Sequence, residues 1–79
     1  MEIITKLPEK SGIIGAREIV KHIKNGKIKQ VVVASNCPDF LIARLKEFGG
    51  LAIEKFDGDE AQFGTKLGKP FPVAMAGYE

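Results

Sequence analysis

The stretch that decides the fold is Val31-Val-Val-Ala-Ser-Asn-Cys-Pro38. It opens with three β-branched valines and an alanine, without the polar alternation of a strand that has one wet face. Such a run predicts a central strand that is buried on both faces and covered by helices. Ser35 and Asn36 then suit a loop, and Pro38 suits the start of a helix. Because ligands of open α/β sheets bind at the carboxyl ends of strands, this loop is the first candidate site.

Upstream of the central strand, the sequence predicts a very short strand within residues 12–15 and then an amphipathic helix. The apolar residues of this helix recur at helical spacing and are Ala16, Ile19, Val20 and Ile23. The helix is expected to end at Asn25 and Gly26, which tolerate a left-handed conformation. Residues 1–11 mix apolar and charged residues with a proline, so they are expected to form at most a short strand or a turn.

Downstream, the pattern continues to alternate between helices and strands. The predicted elements are a helix that ends at Gly49 and Gly50, a strand over 51–56, a helix over 59–67 that contains Gly64, and a strand over 73–76. This order predicts a single domain over residues 1–79. Its expected α/β fold is a three-layer α-β-α sandwich, with a four-stranded mixed sheet and helices on both faces.

Composition and charge restrict the classes of function. The single cysteine, Cys37, cannot form an internal disulfide and favours a reducing cytoplasm. No apolar run approaches the roughly 18 residues of a membrane span, and the first residues lack a signal-peptide pattern. The net charge is only +2, but five basic residues lie between Arg17 and Lys29 against one acidic residue. This basic segment is either a footprint for phosphate groups or an ordinary solvated helix face.

Few residues are suited to catalysis. His22, the only histidine, lies on a helix face without an evident nucleophile. Cys37 stands at a helix start, where a thiol pKa can be lowered, but the chain has no resolving cysteine and no second histidine to act as base. Asp57, Asp59 and Glu60 could bind a cation, yet a turn followed by an acidic helix start uses the same residues. The sequence predicts no enzymatic activity, no cofactor and no metal site.

Binding suits the same edge of the sheet better. If the strands that flank the first helix are parallel, residues 15–18 lie beside Asn36, and an antiparallel last strand brings residues 69–72 to the same edge. Helix-start amides and the Arg17 guanidinium suit phosphate, and Asn36 offers a donor and an acceptor to a base edge. Phe71 could stack on an unpaired base. Alternatively, Asn36 caps its own loop and Phe71 plugs the end of the core.

Four blocks of sequence carry a resemblance to a known family. They are Gly15-Ala-Arg-Glu-Ile, Asn25-Gly26-Lys27, Val33-Ala-Ser-Asn-Cys-Pro38 and Phe63-Gly-Thr-Lys-Leu-Gly-Lys-Pro-Phe71. In this order and spacing, residues 12–76 resemble the ribosomal protein L-thirty-e branch of the L-seven-Ae kink-turn RNA-binding superfamily. The resemblance implies an α-β-α sandwich that grips the sharply bent internal loop of a kink-turn RNA.

The RNA-binding surface expected from this resemblance and from the basic residues beside it covers one end of the molecule. Its predicted residues are Gly15, Arg17, Glu18, Lys21, Asn36, Lys69, Phe71 and Val73. The chain departs from the family pattern at Pro72, where an arginine is usual. It departs again after Pro38, where Asp39, Phe40 and Leu41 replace an expected basic residue in a shorter loop.

The predicted function is therefore that of a non-catalytic RNA-binding protein, either a large-subunit ribosomal protein or a ribosome-associated protein. Its expected partners are ribosomal RNA or another kink-turn RNA, together with ribosomal proteins, and no membrane. It is expected to be cytoplasmic and monomeric when free. The alternative is a protein-interaction module that has kept the fold and has weakened RNA binding.

Overall fold

The computed structural model describes residues 1–10 and 12–79. Ser11, the last residue of the predicted N-terminal segment, lies outside the described residues. The elements in chain order are β1 (Glu2–Ile4), β2 (Ile13–Ile14), α1 (Ala16–Lys24), β3 (Gln30–Val33), α2 (Asp39–Lys46), β4 (Ala52–Phe56), α3 (Glu60–Lys66) and β5 (Met75–Tyr78). Within this described part, no helix has the length and apolarity that crossing a bilayer requires.

The strands form one mixed sheet in the order β1-β4-β3-β5-β2. β1, β4 and β3 are parallel, whereas β5 is antiparallel to both β3 and β2. Since β2 and β3 each run opposite to β5, they are parallel to each other, and both conditions for a shared binding edge are met. The carboxyl ends of β2, β3 and β4 and the amino end of β5 form one edge of the sheet. We call it the Asn36 edge, and it contains Gly15, Asn36, Gly58 and Ala74.

The described sheet has five strands, so the prediction of four was one strand short. The additional strand is β1, in which Ile3 and Ile4 pair with Lys55 and Phe56 of β4. Without it, the outer edge of β4 would present unpaired amide and carbonyl groups. A segment of three residues has no readable period, so the sequence indicated this strand only as one possibility.

The core has two layers, one on each face of the sheet. Val31 and Val33 lie in the layer beneath α1 and α2, and Val32 and Ala34 lie in the layer beneath α3. All four residues of this run are fully buried, and complete burial of a valine side chain contributes about 1.5–3 kcal/mol. This confirms the three-layer α-β-α sandwich and the central strand buried on both faces.

α1 has the boundaries that the sequence predicted. Ile19 and Val20 are buried, Asn25 is the C-terminal cap, and Gly26 adopts a positive φ of 71°. Gly15 precedes the helix with a φ of 102°, a conformation that residues with a Cβ atom rarely adopt. The glycine at this position is therefore required by the backbone that enters the helix.

Two elements have boundaries that differ from the prediction, and one of them, β5, extends to Tyr78 instead of ending at Ala76. α2 ends at Lys46 instead of continuing to Gly49, because the amide of Phe48 donates to the Leu45 carbonyl and tightens the chain into a turn. β5 begins at Met75 instead of Val73. The amide of Val73 donates to the Glu60 carbonyl at 3.0 Å, so α3 holds this residue and keeps it out of the strand ladder.

Candidate nucleic-acid interface

Backbone hydrogen bonds join the loops of the Asn36 edge. The amide of Ala34, at the end of the central strand, donates to the Ala74 carbonyl at 2.8 Å. The next amide, that of Ser35, donates to the Gly58 carbonyl at 2.8 Å. The loop after β3 is thus fixed to the loop after β4 and to the loop before β5. Three segments that are distant in sequence form one continuous surface.

Asn36 has an exposed side chain and uses only one end of it in the fold. Its Oδ1 accepts a hydrogen bond from the Glu60 amide at 2.9 Å, which caps the start of α3. In the described part of the chain, its Nδ2 donates no hydrogen bond. The sequence offered a cap of its own loop as the alternative to binding, whereas the structure shows that this side chain caps α3. The cap uses Oδ1, so the amide group can donate to a base or a phosphate.

Glu60 is a residue of the site that sequence reasoning missed. Its amide donates to Asn36, and its carbonyl accepts from Val73, so its backbone joins the two loops that carry the predicted contacts. The sequence signal at this position was only an acidic residue suited to a helix start. Because this role belongs to backbone atoms, the type of residue does not reveal it.

The last loop is attached to α3 along its length. The Lys69 amide donates to the Gly64 carbonyl at 2.9 Å, and the Val73 amide donates to Glu60 as described above. A Cβ atom on Gly64 would lie only 2.1 Å from the Phe71 carbonyl oxygen, so the glycine permits direct contact between loop and helix. The Phe71 side chain is 50% exposed and does not plug the core, whereas Val73 is 2% exposed and anchors the base of the loop.

The start of α1 presents free donors at the same edge. In the described structure no side chain caps this helix start, and the side chains of Arg17, Glu18 and Lys21 are exposed. His22 lies further along this helix, and its Nδ1 is 2.8 Å from the Glu18 backbone carbonyl oxygen, so its side chain is engaged within its own helix. Helix-start amides beside an arginine side chain form an arrangement that binds anions.

Cys37 is not an activated thiol. It is 6% exposed, and burial raises its pKa from the ordinary value, with the nearby negative charges of Glu60 and Asp39 raising it further. The opposing charge of Lys55 is the smallest influence. The possibility that a helix start lowers this pKa is therefore not realised. A thiol that stays protonated at neutral pH is a poor nucleophile.

The acidic segment after β4 has a structural role. Oδ1 of Asp59 accepts from the Gln62 amide at 2.8 Å, and the Gln62 side chain accepts from the Asp59 amide at 2.9 Å. This reciprocal pair is a capping box at the start of α3. Among the described residues there is no group of three or more histidine, cysteine, aspartate or glutamate side chains that could hold a metal ion.

Together, these features define a small α-β-α domain with its candidate binding groups at one edge. Among the described residues, an amide donor, a half-exposed aromatic ring and a set of helix-start amides lie there, and the Cys37 thiol is not activated. The chain belongs to the Ribosomal protein L7Ae/L30e/S12e/Gadd45 family, whose pattern matches residues 4–78. The family resemblance read from the sequence is confirmed.

The chain is similar to proteins named large ribosomal subunit protein eL30. The protein from Archaeoglobus fulgidus is 36% identical over 76 residues, which cover 94% of this chain and 87% of the relative. The protein from Sulfolobus acidocaldarius is 35% identical over 79 residues, which cover 96% of this chain and 76% of the relative. For the protein from Methanoregula boonei, the identity is 39% over 62 residues, covering 78% of this chain and 64% of the relative.

Two solved structures share the fold. A protein of unknown function from Bacillus halodurans superposes with a TM-score of 0.70 at 21% identity, covering 86% of this chain and 71% of that chain. A 15.5 kD RNA-binding protein from Giardia lamblia superposes with a TM-score of 0.64 at 23% identity, covering 86% of this chain and 59% of that chain. These likenesses support the α/β sandwich architecture.

Proposed function

We propose that this chain is a non-catalytic RNA-binding protein of the large ribosomal subunit, or associated with the ribosome, and that it recognises a kink-turn-like internal loop. Membership of the family and the relatives named large ribosomal subunit protein support the ribosomal role. Its partners are then ribosomal RNA and ribosomal proteins in the cytoplasm, and the free chain is a monomer.

The observation that carries this proposal is the arrangement of Asn36 and Phe71. Both side chains are exposed. The loops that carry them are hydrogen-bonded to the same residue, because the Glu60 amide donates to the Asn36 side chain and the Glu60 carbonyl accepts from the Val73 amide. A bent RNA loop splays bases out of the helix, and proteins bind such bases by stacking and by hydrogen bonds to their edges. The ring of Phe71 supplies the stacking surface, and Nδ2 of Asn36 supplies a donor.

The start of α1 contributes contacts to the RNA backbone and one contact to a base. The helix-start amides and the Arg17 guanidinium bind phosphate oxygens, and the Glu18 carboxylate accepts from an amino group of a base. The exposed ammonium groups of Lys21 and Lys69 add attraction that is independent of base sequence. Gly15 has no side chain, so the RNA backbone can approach the chain closely at the helix start.

Hydrogen bonds within the chain join the loops of this edge in the absence of RNA. Glu60 joins the Asn36 loop to Val73, and the capping box fixes the start of α3 that carries Glu60. Pro72, where the family resemblance implies an arginine, removes one cationic contact but restricts the backbone next to Phe71. Preorganised loops lose less conformational entropy on binding, which offsets part of the missing contact.

A gel-shift experiment tests the proposal with a kink-turn RNA and a duplex RNA of equal length. The wild-type chain is expected to prefer the kink-turn. Phe71→Ala should weaken that binding by about 1–3 kcal/mol, the value of a stacked base. Asn36→Asp keeps an oxygen that accepts from Glu60 but loses the amide donor, so it should fold normally and bind the kink-turn more weakly.

The matched control is Lys46→Ala, an exposed position at the end of α2 and at the opposite edge of the sheet. It should change binding to both RNAs equally and mainly through the salt dependence. Equal affinity of the wild-type chain for kink-turn and duplex, or no binding to either, contradicts the proposal. Unchanged kink-turn affinity in Asn36→Asp and Phe71→Ala contradicts the assignment of the site.

A further inference from the structure

A groove of about 650 Å³ lies between α1 and α2, on the face of the sheet opposite α3. Its floor is apolar: Ala16 and Leu41 are half-buried and partly open to the groove, and the buried side chains of Val20, Leu45 and Met75 lie beneath them. Its rim is basic and consists of the exposed side chains of Arg17, Lys21, Lys24 and Arg44. Among the described residues that line the groove, none is acidic.

The groove extends away from the Asn36 edge. α1 follows β2 and α2 follows β3, and these two strands are parallel, so both helices begin at the Asn36 edge and end at the opposite edge. Arg17 therefore lies near the proposed RNA site, whereas Lys24 and Arg44 lie near the helix ends. The far half of the groove is separate from the residues assigned to RNA.

The chemistry of this groove calls for a ligand that is both apolar and anionic. RNA backbone satisfies the basic rim but offers nothing apolar to Ala16 and Leu41, the floor side chains that are partly open to the groove. A helix with an apolar stripe flanked by acidic residues satisfies both, because it lays its stripe into the groove and places its carboxylates against the rim.

We propose that the groove between α1 and α2 binds an acidic amphipathic helix of a partner protein. The sequence assigned Arg17, Lys21 and Lys24 to a basic helix face, and the structure adds Arg44 from a second helix and the apolar floor between them. α1 and α2 contain nine and eight residues, so the groove accepts about two helical turns of the partner. Contacts of this size form weak, reversible complexes.

Fluorescence anisotropy with a labelled peptide tests this interface. The probe is a helical peptide of about 16 residues with leucines at the i, i+3, i+4 and i+7 positions and mostly glutamate elsewhere. The comparison peptide has the same composition, with its leucines redistributed so that no stripe forms. The full chain is expected to bind the striped peptide more tightly, by about tenfold, because only that peptide covers the apolar floor.

Charge reversal locates the binding site. The double variant Lys24→Glu/Arg44→Glu should lower the affinity for the striped peptide by about tenfold or more. Its affinity for kink-turn RNA should be no lower than that of the control variant. The control, Lys27→Glu/Lys46→Glu, reverses the same number of exposed charges outside the groove and should bind the peptide nearly as well as wild type. Arg44→Glu alone serves if the double variant proves unstable in urea titrations.

Three results overturn the proposal. The first is equal affinity for the two peptides, which shows that the apolar floor takes no part. The second is an equal loss of peptide affinity in the groove variant and in the control variant, which indicates that net charge alone drives peptide binding. The third is a larger loss of RNA affinity than of peptide affinity in Lys24→Glu/Arg44→Glu, which assigns the groove to RNA. None of these results depends on the proposed role of Asn36 and Phe71.

Discussion

Replacing Gly64 by alanine tests whether direct contact between α3 and the last loop holds Phe71 in place. A Cβ atom at this position would lie 2.1 Å from the Phe71 carbonyl oxygen, 3.1 Å from its carbonyl carbon and 3.4 Å from the Pro72 Cα. The two closest atoms are backbone atoms and cannot rotate away. The loop must therefore move outward by about 1.3 Å or more to reach ordinary van der Waals distance.

Two effects of opposite sign compete in Gly64→Ala. Alanine has the higher helix propensity, which alone would stabilise α3 by about 1 kcal/mol. Overpacking against a fixed backbone costs about 1–3 kcal/mol, and weakening the hydrogen bond from Val73 to Glu60 costs about 1 kcal/mol more. The contact outweighs the propensity, so the free energy of unfolding should fall by about 1–3 kcal/mol.

Urea unfolding followed by circular dichroism measures this change, and Gly49→Ala is the control. Gly49 has an ordinary φ and no atom within 4 Å of the added Cβ, so its substitution should be neutral or stabilise the fold by about 0.5 kcal/mol. Kink-turn selectivity should also fall in Gly64→Ala, because Phe71 is displaced. If Gly64→Ala is as stable as wild type and keeps its selectivity, the reasoning is refuted.

Two buried groups give further expectations. Burial raises the pKa of Tyr78, so the unfolded chain releases this proton first and stability should fall as the pH rises above the ordinary value of 10.0. Tyr78→Phe should flatten this alkaline fall in urea titrations without loss of stability at neutral pH, since the hydroxyl makes no hydrogen bond within the described residues. Burial also raises the pKa of Cys37. Its reaction with a thiol reagent at neutral pH should therefore be far slower in the native chain than in urea, and equal rates would disprove its protection.

Sequence patterns were sufficient for the elements whose signal is local. The valine run predicted the central strand because unbroken apolar character requires burial on both faces. The periodic spacing around Ile19 predicted α1, and Asn25 with Gly26 predicted its end, because each depends on a few neighbouring residues. The same local logic placed Asn36 in a loop at a carboxyl edge. For Phe71, the sequence left a surface position and a core position both open, and the structure shows the side chain 50% exposed.

The sequence by itself determined the three-layer sandwich and the residue types available at its edge, because hydrophobic periodicity and turn residues act over short distances. Only the tertiary structure decided how distant segments meet. It placed the Glu60 backbone between Asn36 and Val73 and brought Lys24 and Arg44 to the rim of one groove. It also placed Gly64, a weak helix former, against the Phe71 backbone, where a Cβ atom would not fit. These relations depend on backbone atoms and on packing between elements, and neither can be inferred from the type of a single residue.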